Sequence, residues 1–443
     1  MTPAVDQGAR TDRYAALFET LKDRRPAGPA RLAHAREAAI ARFVELGFPT
    51  PSDEEYRFTN VSAMAATPFE RADDRAAITA AHLADHVYGA HAAAELVFVN
   101  GRFQPSLSRL GALPAGLSAG SLAEAIDVPE VQAALTSVAA HDTAFTALNT
   151  ALFEDAAVVR VAKNAVVEAP VNVVFVSTGG PAPTVSFPRL LIVAGEHSQA
   201  TVIESHVGVG EGTYFACAVT EALCAEASVV RHYRVQREGG HGYHYCRLQL
   251  RAARDATFVS HAFTLGGALV RNDIGAELAG PGIDCTLNGL YLGDGETLID
   301  NHTTIDHAMP HCGSHEVYKG ILGGRARGIF NGKIIVREDA QKTDAKQTNK
   351  ALLLSGQAQI NTKPQLEIFA DDVKCTHGAT VGQLDAEALF YLQARGIGRA
   401  EARRMLIRSF AGDVIARVSV PVLRERLDDW LIASIPVDAV KQE

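Results

Sequence analysis

No run in this chain stays apolar for the ~20 residues that a membrane-crossing helix needs. The amino terminus, MTPAVDQGARTDRY, has neither the basic stretch nor the apolar stretch of an export signal. A cytoplasmic protein is the expectation. Basic excess is missing too: 42 lysines and arginines face 51 aspartates and glutamates, for a formal net charge of −9. Nucleic acid and anionic membranes therefore have no compositional support as partners. Cysteines are few and scattered. Cys217, Cys224, Cys246, Cys285, Cys312 and Cys375 form no CxxC pair, which argues against a zinc ribbon and against a secreted disulfide scaffold. Most are expected to pack as small buried hydrophobes. A nucleotide loop is also lacking. Residues 323–333, GGRARGIFNGK, are glycine-rich, but a P-loop would need Gly at Arg327 and Ser or Thr at Ile334. Val207-Gly-Val-Gly-Glu-Gly has no strand–turn–helix context for a dinucleotide. Both read as turns.

What is present is material for a large core: 443 residues, 47% of them apolar, enough for two or three domains. Tyr14, Leu17, Phe18 and Leu21, then RLAHAREAAIARFVELG, predict helix over about residues 10–47. Phe48-Pro49-Thr50-Pro51 forces an extended passage. Residues 75–155 mix short helices with one strand pair, 96–100 and 102–103, around Gly101. From Ala157 the pattern changes to short apolar runs such as VNVVFV, RLLIVAG and ASVVRHYRV, separated by turn residues. Small residues open successive runs at Ala200, Ala227, Ala256 and Gly282, which lie 27, 29 and 26 residues apart. That period points to a solenoid, and the absence of intervening helices excludes a doubly wound sheet. The expected fold is mainly β: a parallel β-helix over 157–384, preceded by a mostly helical region over 1–156. Three short helices follow over 385–443, with Trp430 in the last. A stack of coils has exposed ends, and the flanking helices could cap them or serve as docking surfaces.

Two groups of residues carry metal chemistry. Residues 301–316, NHTTIDHAMPHCGSHE, concentrate His302, His307, His311, Cys312 and His315, all soft or borderline ligands. On a strand His302 and His307 face opposite ways and Pro310 interrupts the segment, so the group reads first as surface histidines. His307 and Cys312 are retained as secondary metal candidates. The second group is Cys375 and His377, two residues apart and therefore on one face of a strand. Two ligands leave a site open, to be completed by another chain or by a bound cluster. A catalytic Cys–His dyad is the competing chemistry, but nothing nearby resembles an oxyanion hole.

Residues 361–397, NTKPQLEIFADDVKCTHGATVGQLDAEALFYLQARGI, resemble the SufB/SufD family of iron–sulfur cluster assembly proteins, closest to SufD. Phe330-Asn331-Gly332-Lys333, Ala340-Gln341-Lys342-Thr343-Asp344, Asn349 and Leu352-Leu353-Leu354 support it. So does the early motif Pro49-Thr50 with Asp53-Glu54-Glu55-Tyr56-Arg57-Phe58-Thr59, where Tyr56 stands for a more usual Trp. The resemblance implies a right-handed parallel β-helix with helical ends. It also implies pairing with SufB through the β-helices and binding of the ATPase SufC through the C-terminal helices. The isolated chain could also form a homodimer. A nascent iron–sulfur cluster, or iron, is expected at the partner interface, contacted by His377 first and Cys375 second, with none held tightly by this chain alone. SufB's essential cysteine position is Ala358 here, and the acidic residues of its KCxHGAT motif are absent. The expected role is a non-catalytic scaffold subunit of a SufBCD complex that aids iron delivery. The alternative is a carbohydrate-active β-helix enzyme of the lyase type, for which no carboxylate-lined groove is evident.

Overall fold

Why residues 157–382 coil is visible in their pairing. The computed structural model describes residues 7–22, 28–73, 77–139 and 142–435. Its strands pair in parallel with the strand two places on, never with the next, giving one sheet of eleven strands and a second of ten. The chain thus alternates between two sheets, and one circuit returns it to the same sheet one layer further along. In the second sheet Val229 pairs with Thr257, Thr257 with Asp284, Asp284 with Gly313, Gly313 with Asp344 and Asp344 with Lys374. A circuit there takes from 27 residues (Thr257 to Asp284) to 31 residues (Gly313 to Asp344). The result is a parallel β-solenoid of about eight turns with helices toward both ends of the chain.

The repeat lies in the corner, and it is conformational rather than compositional. Asn164, His197, Ala227, Asp255, His311 and Lys342 all have φ between 53° and 62°, and Gly282 has φ 74°. Each donates its backbone N–H to a carbonyl of the next coil: His197 to Glu226, Ala227 to Arg254, Asp255 to Pro281, Gly282 to Pro310. A left-handed non-glycine residue costs about 1 kcal/mol, which this ladder of backbone bonds offsets. Ala227 and Gly282 are corner residues, and Ala256 and Ala200 follow corners at Asp255 and His197.

The helices cover the outer faces of the two sheets. Gln7–Leu21, Ala30–Leu46 and the fully buried Ala144–Leu152 pack over outward residues of the first sheet, including Leu191, Phe215 and Tyr245. Arg399–Ile415 and Pro421–Ser434 lie over the second, burying Ile407, Leu423 and Leu431 against Tyr233, Phe263, Leu290 and Ile321. Trp430 stacks on His86, and Arg426 donates to the Asp85 carbonyl. The C-terminal helices therefore clasp the side of the solenoid and do not cap its end, so the capping function considered from sequence is not theirs. Solenoid pairing also begins earlier than Ala157. Ala94–Val99 pairs in parallel with Val171–Thr178, and antiparallel with Arg102–Phe103 across the Asn100–Gly101 turn. Both turn residues have positive φ, the type I′ geometry that Asn-Gly favours.

Candidate functional site

In a strand side chains alternate, so the columns that line the solenoid lumen can be read from register. One inward column of the second sheet runs His232, Ser260, Leu287, Glu316, Gln347, His377; the neighbouring one runs Phe258, Cys285, Ser314, Ala345, Cys375. Every member before the last strand is buried. Cys375 and His377 are the same columns continued onto Lys374–Gly382, the terminal strand, where no further coil covers them: Cys375 is half-buried and His377 exposed. The two residues share a face, as their spacing requires. That face is the inner surface of the last coil, continuous with the lumen.

The Cys375 sulfur sits at the edge of a small apolar cluster with Ile334, Val336 and Ala345. Burial raises its pKa, opposed by the backbone hydrogen bond of Ala345. Directly beneath His377, Gln347 donates to Glu316 at 2.7 Å. The Glu316 carboxyl is fully buried, and desolvation pushes it up to about 7. Sequence reasoning missed this pair; only the register shows that Glu316, Gln347 and His377 stand one above another.

The end of the solenoid is bare. Gln359–Ile368 and Lys374–Gly382 each have a strand on one side only. Ile368, Phe369 (64% exposed) and Val381 present apolar surface there. Just beyond, Ala386–Ala394 buries none of its residues and exposes Phe390 and Tyr391 at 73% and 57%. Ala358, one residue before Gln359–Ile368, is buried in the solenoid core.

The His-rich segment divides in two. His302 and His307 lie on one strand, Leu298–His307, and face opposite ways as expected. The surface reading fails for His307 and Cys312. His307 is fully buried, its Nε2 is 2.9 Å from Ser314 Oγ, and burial lowers its pKa to about 4. Cys312 is buried in the core with Sγ donating to the Gly280 carbonyl. The structure does not bring either of them to the terminal strand's pair. His302 instead belongs to a clamp on the outer face. Its Nε2 lies 3.0 Å from Asp300 Oδ1 and its Nδ1 3.1 Å from Glu55 Oε2. Arg271 Nη1 donates to Asp300 Oδ2 at 2.6 Å and to the Glu55 carbonyl at 2.7 Å, and its guanidinium lies 4.0 Å from the centre of the Tyr56 ring. Thr59 Oγ1 also donates to Asp300, Asn331 Nδ2 donates to Glu55, and Lys363 pairs with Glu54. The early motif and the Phe330–Lys333 motif, 276 residues apart in the Glu55–Asn331 contact, thus meet on one surface. That contact is structural, between an acidic N-terminal segment and the solenoid flank.

Comparison with known proteins agrees with this geometry. Residues 175–410 match the SufBD core domain of the SUF system for iron–sulfur cluster assembly, and residues 9–173 match the SufBD N-terminal region. An iron–sulfur cluster assembly SufBD family protein of Synechocystis is 32% identical over 406 residues, covering 89% of each chain. The iron–sulfur cluster assembly protein SufD of Escherichia coli is 38% identical over 219 residues, 49% of this chain and 52% of its own. SufD of Bacillus subtilis is 29% identical over 286 residues, 64% of each. A carbohydrate-active enzyme finds no support in these matches. With a two-sheet solenoid, matching domains along nearly all of its length and SufD proteins among its relatives, the chain belongs to the SufBD family and has a SufD-like role in iron–sulfur cluster assembly.

Proposed function

We propose that this chain is the SufD-type subunit of a SufBCD complex. Its exposed terminal coil pairs with SufB, and its C-terminal helices receive SufC, which hydrolyses ATP. The chain itself performs no catalysis, works in the cytoplasm, and presents Cys375 and His377 to iron or a nascent cluster. The three regions 1–156, 157–384 and 385–443 serve as N-terminal support, interface and docking segment.

The observation that carries this reading is the bare final strand, with a thiol and an imidazole on its lumen face. An unpaired strand edge with exposed apolar side chains is a surface that another chain covers. Two soft donors at that edge are half of a coordination sphere, which the covering chain completes. The exposed, apolar helix Ala386–Ala394 next to it supports an adjoining ATPase contact. Iron and sulfide are cargo in this scheme.

The test is His377→Ala in the chain co-expressed with SufB and SufC. The exposed imidazole makes no buried contact, so the complex should co-purify unchanged. The yield of cluster in anaerobic reconstitution should fall several-fold, and Cys375→Ser should give a smaller loss. An unchanged yield in both variants removes the pair from the assembly site.

A further inference from the structure

Several coils before the terminal strand, the lumen holds a second group of soft ligands, and it is entirely enclosed. Strand Gln199–Val209 points Glu204 and His206 inward, and Gly242–Ala252 of the opposite sheet points His244 and Cys246 toward them. His206, His244 and Cys246 each offer one ligand atom, and these atoms lie within 4.8 Å of one another. The two imidazole rings stand 4.7 Å apart at 70°. All three residues are at most 1% exposed.

An ordinary core would pair these groups with each other or avoid them, and this one does neither. Each imidazole is instead backed by a carboxylate. Glu204 places one oxygen 2.8 Å from His206 Nε2 and the other 2.8 Å from His232 Nε2, and it accepts from Thr220 at 2.9 Å. Glu238 Oε2 lies 2.9 Å from His244 Nδ1, held by Gln236 Nε2 at 3.0 Å. A carboxylate behind each histidine is the arrangement that orients metal-bound imidazoles. His244 Nε2, the nitrogen left over, has no hydrogen-bond partner, and leaving it so costs about 1–3 kcal/mol. Arg234 Nη1 reaches Cys246 Sγ at 2.6 Å, the contact that a thiolate and not a thiol rewards. The charges count the same way. Glu204 and Glu238 against Arg234 leave the pocket at −1, and a Cys246 thiolate makes it −2. A divalent cation brings the sum to zero, which a buried cluster requires.

We propose that His206, His244 and Cys246 bind one divalent transition-metal ion of the zinc or iron(II) class inside the solenoid. Two nitrogens and one sulfur are the donors such ions prefer. Bonds of about 2.0–2.3 Å place tetrahedral ligands roughly 3.4–3.8 Å apart, so the side chains close by about 1 Å around the ion. Three protein ligands leave the fourth position to water. Access comes from a cavity of about 190 Å³ at the solenoid corner, lined by Glu238, Gly266, Gly267 and, from the last helix, Ser434. Glu238 connects that cavity to His244. The site is separate from Cys375 and His377 and does not depend on their role.

Cobalt(II) is the probe, added anaerobically to the full chain carrying Cys375→Ser and His377→Ala, so that the terminal pair contributes nothing. One equivalent should bind with the intense visible bands of tetrahedral cobalt and a thiolate charge-transfer band in the near ultraviolet. Cys246→Ser should abolish the charge-transfer band, and His244→Ala should weaken binding by roughly 100-fold or more, since even outer partners of metal ligands are worth 10–100-fold. X-ray absorption of the zinc-loaded protein should show one sulfur and two imidazole nitrogens, and it needs no variant of the buried site. Absence of bound cobalt, a charge-transfer band that survives Cys246→Ser, or zinc ligated without sulfur would each overturn the proposal.

Discussion

His302 should carry a proton to well above neutral pH and hold the N-terminal motif while it does. Burial opposes charge on its ring, but Asp300 at 3.0 Å and Glu55 at 3.1 Å outweigh both that and the nearby Arg271, and its pKa rises from 6.5 to about 9. Asp300 mirrors it. Desolvation works against its charge, yet Arg271 and His302 bring it down from 3.8 to about 2. For a histidine raised in the folded state, the stabilisation is complete below pH 6.5 and disappears as pH rises through about 9. The interval corresponds to about 3 kcal/mol at about 1.4 kcal/mol per factor of ten. Part of that preference is shared with Asp300, so about 3 is a ceiling. The perturbation is His302→Gln, and the assay is urea unfolding of both proteins from pH 6 to pH 10. The wild type should be the more stable by up to about 3 kcal/mol at pH 6, and the difference should close between pH 7 and pH 10. Histidine-selective NMR should place the ring's titration near 9, falling in Asp300→Asn. A ring that titrates at or below 6.5, or a stability difference that does not vary with pH, would refute the reasoning.

Glu316 makes the opposite prediction. Its pKa is raised from 4.5 to about 7 by burial, so the folded chain loses stability as pH rises through that window, by about 3 kcal/mol at most. Glu316→Gln should therefore be more stable than the wild type at pH 8 and indistinguishable from it near pH 4.5, as judged by denaturant midpoints. Phe390→Ser with Tyr391→Ser alters two exposed side chains and should change stability by no more than about 0.5 kcal/mol; pull-down with the ATPase subunit should drop sharply. Deleting residues from Arg399 onward is a poor test of that contact. It would strip Ile407, Leu423 and Leu431 from the second sheet, and loss of the melting transition is the expected outcome.

The terminal pair was legible because two neighbours on a strand need no tertiary information: spacing alone puts Cys375 and His377 on one face. The same rule applied to His244 and Cys246 would have flagged them, but the third ligand, His206, comes from the opposite sheet. His302 shows the limit in another form. In sequence it is one of five ligands in a sixteen-residue stretch, and in space it answers to Glu55, 247 residues away.

Sequence alone determined the period and the class of fold, because runs of β-branched residues with no helices between them can bury their inner faces only by coiling. It also determined the helical segments at the two ends, through their apolar spacing. Tertiary structure alone decided the phase of the coil. The corners depend on left-handed φ at residues as unlike as Asn164, Asp255 and Lys342, and backbone bonds between coils, not side-chain identity, hold them. It also decided what is inside. A period of two says which side chains share a face, but only the stacking of one coil on the next says that Glu316, Gln347 and His377 form a single column, and that the last of them is left in the open.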